Sequence, residues 1–214
     1  MRLILLSPPG AGKGTHSAWL ARETGTVHVS SGDLVRAEIA GGTDLGRRLA
    51  DYLGHGHLVP DRLVLELLAP VLIGAVREPD GYLLDGFPRT VTQARRAAEL
   101  GVDLDPATDA ALYLTAPEPV LVGRLLARFR IDGRADDTLE VIRHRLDVFR
   151  RKTAPVIDYY RDRGVLLEVD ADRPVDVIRN DLRRWLAGRA ATHPRGAGAP
   201  IVSPRHTDDE GVHA

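Results

Sequence analysis

The chain has no cysteine, which removes disulfides and thiolate metal sites from its chemistry and is compatible with a reducing compartment. It also has almost no lysine: of 29 Lys and Arg residues, only Lys13 and Lys152 are lysine. No sign of charge is in excess, with 30 acidic residues giving a formal net charge of −1. A nucleic-acid-binding or membrane-binding field is therefore not expected, and any polyanion must be met by local clusters. Long apolar runs are missing as well. Leu3-Ile4-Leu5-Leu6 is too short for a signal-peptide core, and nothing else approaches membrane-spanning length. These absences lead to the expectation of a soluble, cytoplasmic protein.

What is present begins with Ser7-Pro8-Pro9-Gly10-Ala11-Gly12-Lys13-Gly14-Thr15, set between that apolar run and an amphipathic segment from His16. A buried strand feeding a tight turn and then a helix is the setting of a phosphate-binding loop. Glycines let successive N–H groups converge on phosphate oxygens, the helix N-terminus adds partial positive charge, and Lys13 adds a full one. Gly10, Ala11, Gly12, Lys13, Gly14 and Thr15 are thus the expected cradle of a nucleotide polyphosphate, with the Thr15 hydroxyl available to Mg²⁺. The run departs from the generic G-x-x-x-x-G-K-[ST] pattern in two places. Ser7 stands at the leading glycine position, and Gly14 separates Lys13 from Thr15. If position 7 needs a positive φ, the serine costs roughly 1 kcal/mol of strain.

Five apolar runs alternate with helical patterns: Leu3–Leu6, Thr26–Val29, Gly81–Asp85, Ala110–Leu114 and Val165–Val169. Alternation of this kind predicts a doubly wound α/β fold, a five-stranded parallel sheet covered by helices on both faces. Between the second and third strands the pattern is wholly helical, with a Ser cap before Leu34, a Thr43 or Asp44 cap, and Asp61 expected to cap a longer helix. Pro117-Glu118-Pro119 opens a helix that is expected to run out at Arg128, ahead of a short polar connector. A long helix from about Thr138 is expected to be interrupted near Pro155. Beyond about Ala187 the apolar period stops, so residues 1–187 are read as one domain and 188–214 as a flexible tail.

Asp85, at a strand's carboxyl end beside the phosphate loop, is placed like a Walker-B carboxylate holding Mg²⁺ through water. Gln93 can present a donor and an acceptor to the edge of an adenine. Arg124 and Arg128 lie four apart and share a helix face.

The G-A-G-K-G-T run, with its extra Gly14, resembles that of the nucleoside monophosphate kinases. Four further stretches make the chain similar to the adenylate kinase family nearly to Leu186: Ser30–Arg36, Gly56–Asp61, Asp85–Thr90 with Gln93, and Arg124–Arg145. The resemblance implies Mg²⁺-dependent transfer of a phosphoryl group from ATP to AMP, giving two ADP. It places residues of about 30–59 as a monophosphate-binding segment, Ser31 and Arg36 on AMP, and His57, Leu58 and Val59 around its nucleoside by backbone contacts. Gly86, Phe87 and Pro88 belong to the same site, and Arg89 grips the AMP phosphate. Arg124 and Arg128 are implied on ATP, Arg134 and Arg145 on AMP or the phosphoryl in flight, and Arg173 beside the ATP base. Asp136 and Asp137 orient those arginines, and about 128–137 forms a short lid with no zinc. Lys13, Arg89, Arg128, Arg134 and Arg145 are the implied catalytic set. His16, Ser31, Phe129, Ile131 and Asp132 depart from the family's usual residues.

ATP, AMP and ADP are the expected partners of a monomer. A kinase for UMP or CMP, differing chiefly in base contacts, and an impaired nucleotide-binding regulator remain as alternatives.

Overall fold

The computed structural model describes residues 1–53, 57–99, 108–132 and 138–192. Five strands, β1 (Arg2–Leu6), β2 (Val27–Ser30), β3 (Tyr82–Asp85), β4 (Ala110–Thr115) and β5 (Leu166–Asp170), form one parallel sheet in the order β2-β3-β1-β4-β5. Nine α-helices among the described residues connect and flank them: α1 (Lys13–Thr24), α2 (Ser31–Ala40), α3 (Asp44–Leu53), α4 (Asp61–Ala75), α5 (Val91–Glu99), α6 (Glu118–Asp132), α7 (Leu139–Val148), α8 (Ala154–Asp162) and α9 (Val175–Thr192).

β1 is central because it is the strand with no polar face. Leu3, Ile4, Leu5 and Leu6 are all buried, as a strand covered on both sides of a parallel sheet must be, and each stabilises the fold by about 1.5–3 kcal/mol. Its neighbours diverge, β3 on one side and β4 on the other. This is the switch point outside whose carboxyl ends a ligand crevice forms in open α/β sheets. The register sets Leu5 beside Asp85 and Asp85 beside Ser30. The ends of β1, β3 and β2 therefore present the loop before α1, the turn after Asp85 and the start of α2 to one another.

Two apolar clusters hold the sheet and the helices that follow β2. The main core joins Ile4, Leu6, Leu68, Leu72, Tyr82, Leu84, Val156 and Tyr160. A smaller one, of Val35, Leu49, Val59 and Leu63, holds α2, α3 and the start of α4 together.

Several boundaries differ from expectation. α6 does not end at Arg128 but continues to Asp132, because Phe129-Arg130-Ile131-Asp132 holds no helix breaker before Gly133. Residues 128–132 of the expected lid are thus helical, and 133–137 lie outside the described residues. Asp61 is not a cap: it is the first residue of α4, behind Pro60, and its carboxylate turns to other partners. The interruption near Pro155 is a π-helical turn over Phe149–Thr153, ahead of the proline, whose ring and missing N–H are incompatible with regular pairing to the preceding turn. Helix α9 runs to Thr192 instead of stopping near 187; the rest of the expected tail lies outside the described residues.

The chain divides into two compact units, Met1–Ile178 and Arg179–Ala214. All of the sheet belongs to the first. In the second, the described residues continue α9, where the Arg189 guanidinium lies 5.2 Å from the centre of the Trp185 ring. No described helix is long and apolar enough to cross a membrane.

Candidate active site

The loop after β1 turns through Gly10 (φ +88°) and Gly12 (φ +84°) before α1 begins. At Gly10 both freedoms of glycine are used: the backbone is left-handed, and a Cβ would stand 2.7 Å from the Leu121 carbonyl oxygen on α6. Ala11 N–H donates to the Pro8 carbonyl at 3.3 Å and Thr15 N–H to Gly12 at 2.9 Å. By helix geometry the N–H groups of Lys13 and Gly14 have no intrahelical acceptor, so they are left for an anion. Ser7 differs from expectation. No non-glycine residue described has a positive φ, so serine causes no backbone strain there. Its Oγ is instead buried with no hydrogen-bond partner among the described residues.

Lys13 Nζ donates to Asp85 Oδ1, and His28 Nε2 stands 3.5 Å from Asp85 Oδ2. Burial alone would raise the Asp85 carboxyl. The nearby His28 ring, the charge and bond of Lys13, and the Ser17 hydroxyl outweigh it and bring the pKa down to about 2. Asp85 is therefore an ionised, nearly buried carboxylate at the mouth of the loop. Lys13 is shifted down from its ordinary value, chiefly by burial; Asp85 opposes this, while Arg89 and Arg36 reinforce it. Arg89 is likewise lowered by burial first, then by Arg145 and Arg36, with Asp85 opposing.

Lys13 and Arg89 thus share the field of Asp85, Arg36 acts on both while pairing with Asp33, and Arg145 acts on Arg89, so positive charge from four parts of the chain gathers beside the loop. Positive charge gathered at the end of a glycine loop suits an anion.

The turn after β3 organises the rest. The Phe87–Pro88 peptide is cis. The Gly86 carbonyl accepts from Ser31 Oγ and from Arg89 Nε, each at 2.9 Å, tying the start of α2 to the arginine. Arg36 Nη2 donates to Asp33 Oδ1 at 2.5 Å, one turn back on α2. Gln93 is 1% exposed, and its amide is engaged within the protein, to Arg89 N–H and to Asp61. On the far side of the sheet, Arg124 Nη1 donates to the Ala171 carbonyl at 3.0 Å and its other terminal nitrogen lies 3.5 Å from Asp172. Arg173 follows directly, with Nε 3.3 Å from the Asp170 carbonyl, so Arg124 and Arg173 share the loop after β5. Arg128 is half-buried one turn further along α6. His57 is exposed, Leu58 half-buried and Val59 buried. Arg134, Asp136 and Asp137 lie outside the described residues.

Two participants and one contact were not foreseen in the sequence. Ser17 falls on the Lys13 face of α1, four residues on, which was a usable signal. His28 is a polar residue inside a strand, but its partner depends on the register of β2 with β3. His57 Nδ1 and His144 Nε2 meet at 3.1 Å from elements 87 residues apart, and no local pattern announces it.

For a divalent cation, the hydroxyl of Thr15 and the carboxylate of Asp85 are hard oxygen donors of the type Mg²⁺ selects. No group of three or more His, Cys, Asp or Glu that could cage a metal occurs among the described residues. That donor set fits a cation held largely by nucleotide phosphates and water.

The family model described as adenylate kinase matches residues 5–165. The chain is 42% identical to an adenylate kinase of Thermobifida fusca over 193 residues, covering 89% of this chain and all of the relative. It is 45% identical to an adenylate kinase of Parasynechococcus marenigrum over 87% of this chain and 98% of the relative. Against adenylate kinase 1 of Synechocystis the identity is 43%, over 85% of this chain and 95% of that one.

Proposed function

The chain belongs to the adenylate kinase family, and from that premise we propose that it transfers a phosphoryl group reversibly from ATP to AMP, giving two ADP, through the cation cluster around Asp85. The observation that carries this reading is the gathering of Lys13, bonded to Asp85, with the electrostatically coupled Arg89, Arg36 and Arg145 at the mouth of a glycine loop.

Phosphoryl transfer brings two anionic nucleotides together in line, so the protein's task is neutralisation and positioning. Lys13, which bonds Asp85, turns to the ATP phosphates at the glycine loop, where the N–H groups of Lys13 and Gly14 are left for an anion. Arg89, with Arg36 and Arg145, holds the AMP phosphate, whose oxygen is the nucleophile. That oxygen is ionised near neutral pH, so no general base is needed. Thr15 and, through water, Asp85 are the residues to hold Mg²⁺, which supplies charge neutralisation on the ATP phosphates. Arg124, Arg128 and Arg173 take the ATP side, and Ser31 and the 57–59 backbone the AMP side.

The separate apolar cluster of α2, α3 and Val59 supports reading this segment as a unit that closes over AMP. The chain after Arg128, Arg134 included, forms the second closing element, and closure keeps water from the phosphoryl group. We place the enzyme in the cytoplasm as a monomer, and elution at its 23.3 kDa mass would support the latter.

The test is ATP- and Mg²⁺-dependent phosphorylation of AMP, GMP, UMP and CMP by wild type and Lys13→Ala. AMP should be preferred by at least about tenfold, and the variant should lose on the order of 10²-fold or more in rate. Equal rates on all four nucleotides, or an unaffected variant, would sink the assignment.

A further inference from the structure

Asp61 stands outside the phosphate cluster, yet it is wired to it. Gln93 Nε2 donates to Asp61 Oδ1 at 2.8 Å, and the Thr90 hydroxyl donates to the same carboxylate, 3.2 Å from Oδ2. Gln93 Oε1 in turn accepts the Arg89 backbone N–H at 2.7 Å, and Thr90 Oγ1 accepts Gln93 N–H at 3.0 Å. A carboxylate can only accept and a backbone N–H can only donate, so the two partners together fix which end of the amide is nitrogen and which is oxygen. A flipped amide would set carbonyl against carboxylate and NH₂ against N–H. Arg89 and Thr90 belong to the turn that leads into α5; Asp61 alone comes from another element, the first residue of α4, joined through Pro60 to the segment 57–59.

We propose that Asp61 is a specificity-determining residue, which locks the Gln93 amide in the one orientation that reads a 6-amino purine and rejects a 6-oxo purine. The inference rests on the reading that Gln93 faces the base of the acceptor nucleotide. With one hydrogen given to Asp61 and one lone pair given to Arg89, the amide keeps one N–H and one lone pair. Adenine offers a donor at N6 and an acceptor at N1. Hypoxanthine offers the reverse, an acceptor at O6 and a donor at N1. A free amide matches either base by rotating, whereas a locked one matches a single order. Gln93 is 1% exposed, so the base reaches it by displacing its cover, and a mismatched pair is left there without water to compensate. Asp61 thereby acts through Gln93 and touches neither phosphate nor reacting atom.

The test is kcat/KM for AMP and for IMP, with ATP as donor, in wild type, Asp61→Asn, Asp61→Glu and Gln93→Leu, with the thermal midpoint of each recorded. Asp61→Asn keeps the shape but can donate as well as accept, so it should lower the AMP:IMP ratio by at least about tenfold and leave KM for ATP unchanged. Asp61→Glu, which can only accept, should recover most of the ratio. A merely structural Asp61 would shift the midpoint and both nucleotides together. If Asp61→Asn fails to fold, Asp61→Ser reads the same ratio. A ratio within about twofold of wild type in the folded Asp61→Asn protein, while Gln93→Leu collapses it, overturns the role of Asp61 alone. An unchanged ratio in Gln93→Leu overturns the base reading and the inference with it.

Discussion

Replacing Gly86 by alanine tests the junction on which the acceptor half of the site depends. Gly86 has φ +78°, and a Cβ there would stand 2.5 Å from Ser31 Oγ, 3.2 Å from Arg89 Nη2 and 3.5 Å from Lys13 Nζ. Holding alanine in the left-handed region costs about 1 kcal/mol. Pushing Ser31 away breaks its bond to the Gly86 carbonyl, about another 1 kcal/mol. The sum of about 2 kcal/mol corresponds to a fall of roughly 4–8 °C in thermal midpoint for a protein of this size. The kinetic effect is asymmetric. Arg89 must give way and loses its alignment on the Gly86 carbonyl, so KM for AMP should rise about tenfold with a much smaller change for ATP. In a Ser31→Ala background the clash is gone, and Gly86→Ala should cost only the backbone share, giving a coupling of about 1 kcal/mol in the double-mutant cycle. Urea denaturation of the four proteins reads the cycle, and steady-state kinetics reads the KM split. A Gly86→Ala protein within about 0.5 kcal/mol of wild type, or a cycle with no coupling, would refute the reasoning.

Other perturbations probe the donor half. Ser7→Ala removes a buried hydroxyl that has no partner and leaves the backbone as it is, so stability should rise by about 1 kcal/mol; a loss of stability in urea denaturation would show that the hydroxyl is satisfied. Asp85 titrates near 3.8 when unfolded and at about 2 when folded. Its contribution is fully present above the first value and is lost as pH falls through the second. Acid denaturation curves should therefore show wild type losing about 2 kcal/mol across that window that Asp85→Asn does not lose. Parallel curves for the two proteins would contradict this.

Much of this arrangement is legible in the chain because parallel strands announce themselves. Leu3–Leu6 and Tyr82–Leu84 are buried on both faces and read as unbroken apolar runs, and glycine and proline mark their ends. Lys13 is legible because it is a rare lysine set directly in a glycine turn, and Asp85 because a carboxylate ends an apolar strand. What escaped depends on contacts between distant segments. Asp61 looks like a helix cap by position, and only the packing of α4 against the turn before α5 shows it bound to Gln93 and Thr90. His28 gains its meaning from strand register. Ser7 invited an expectation of strain from its place in a motif, yet its backbone φ is not positive. Polar residues after Arg128 suggest an end to α6 there, whereas the helix continues at least to Asp132, with no breaker before Gly133.

In the proposed reaction Lys13, beside Asp85, and the coupled Arg89, Arg36 and Arg145 carry a phosphoryl group from one nucleotide to another and not to water. The most direct measurement follows the γ-phosphate of labelled ATP in the presence of AMP and Mg²⁺. The account predicts that the label appears in ADP with almost none in inorganic phosphate, and that Arg89→Ala reduces the transfer on the order of 10²-fold. Label accumulating as inorganic phosphate, or transfer undiminished in the variant, would contradict it.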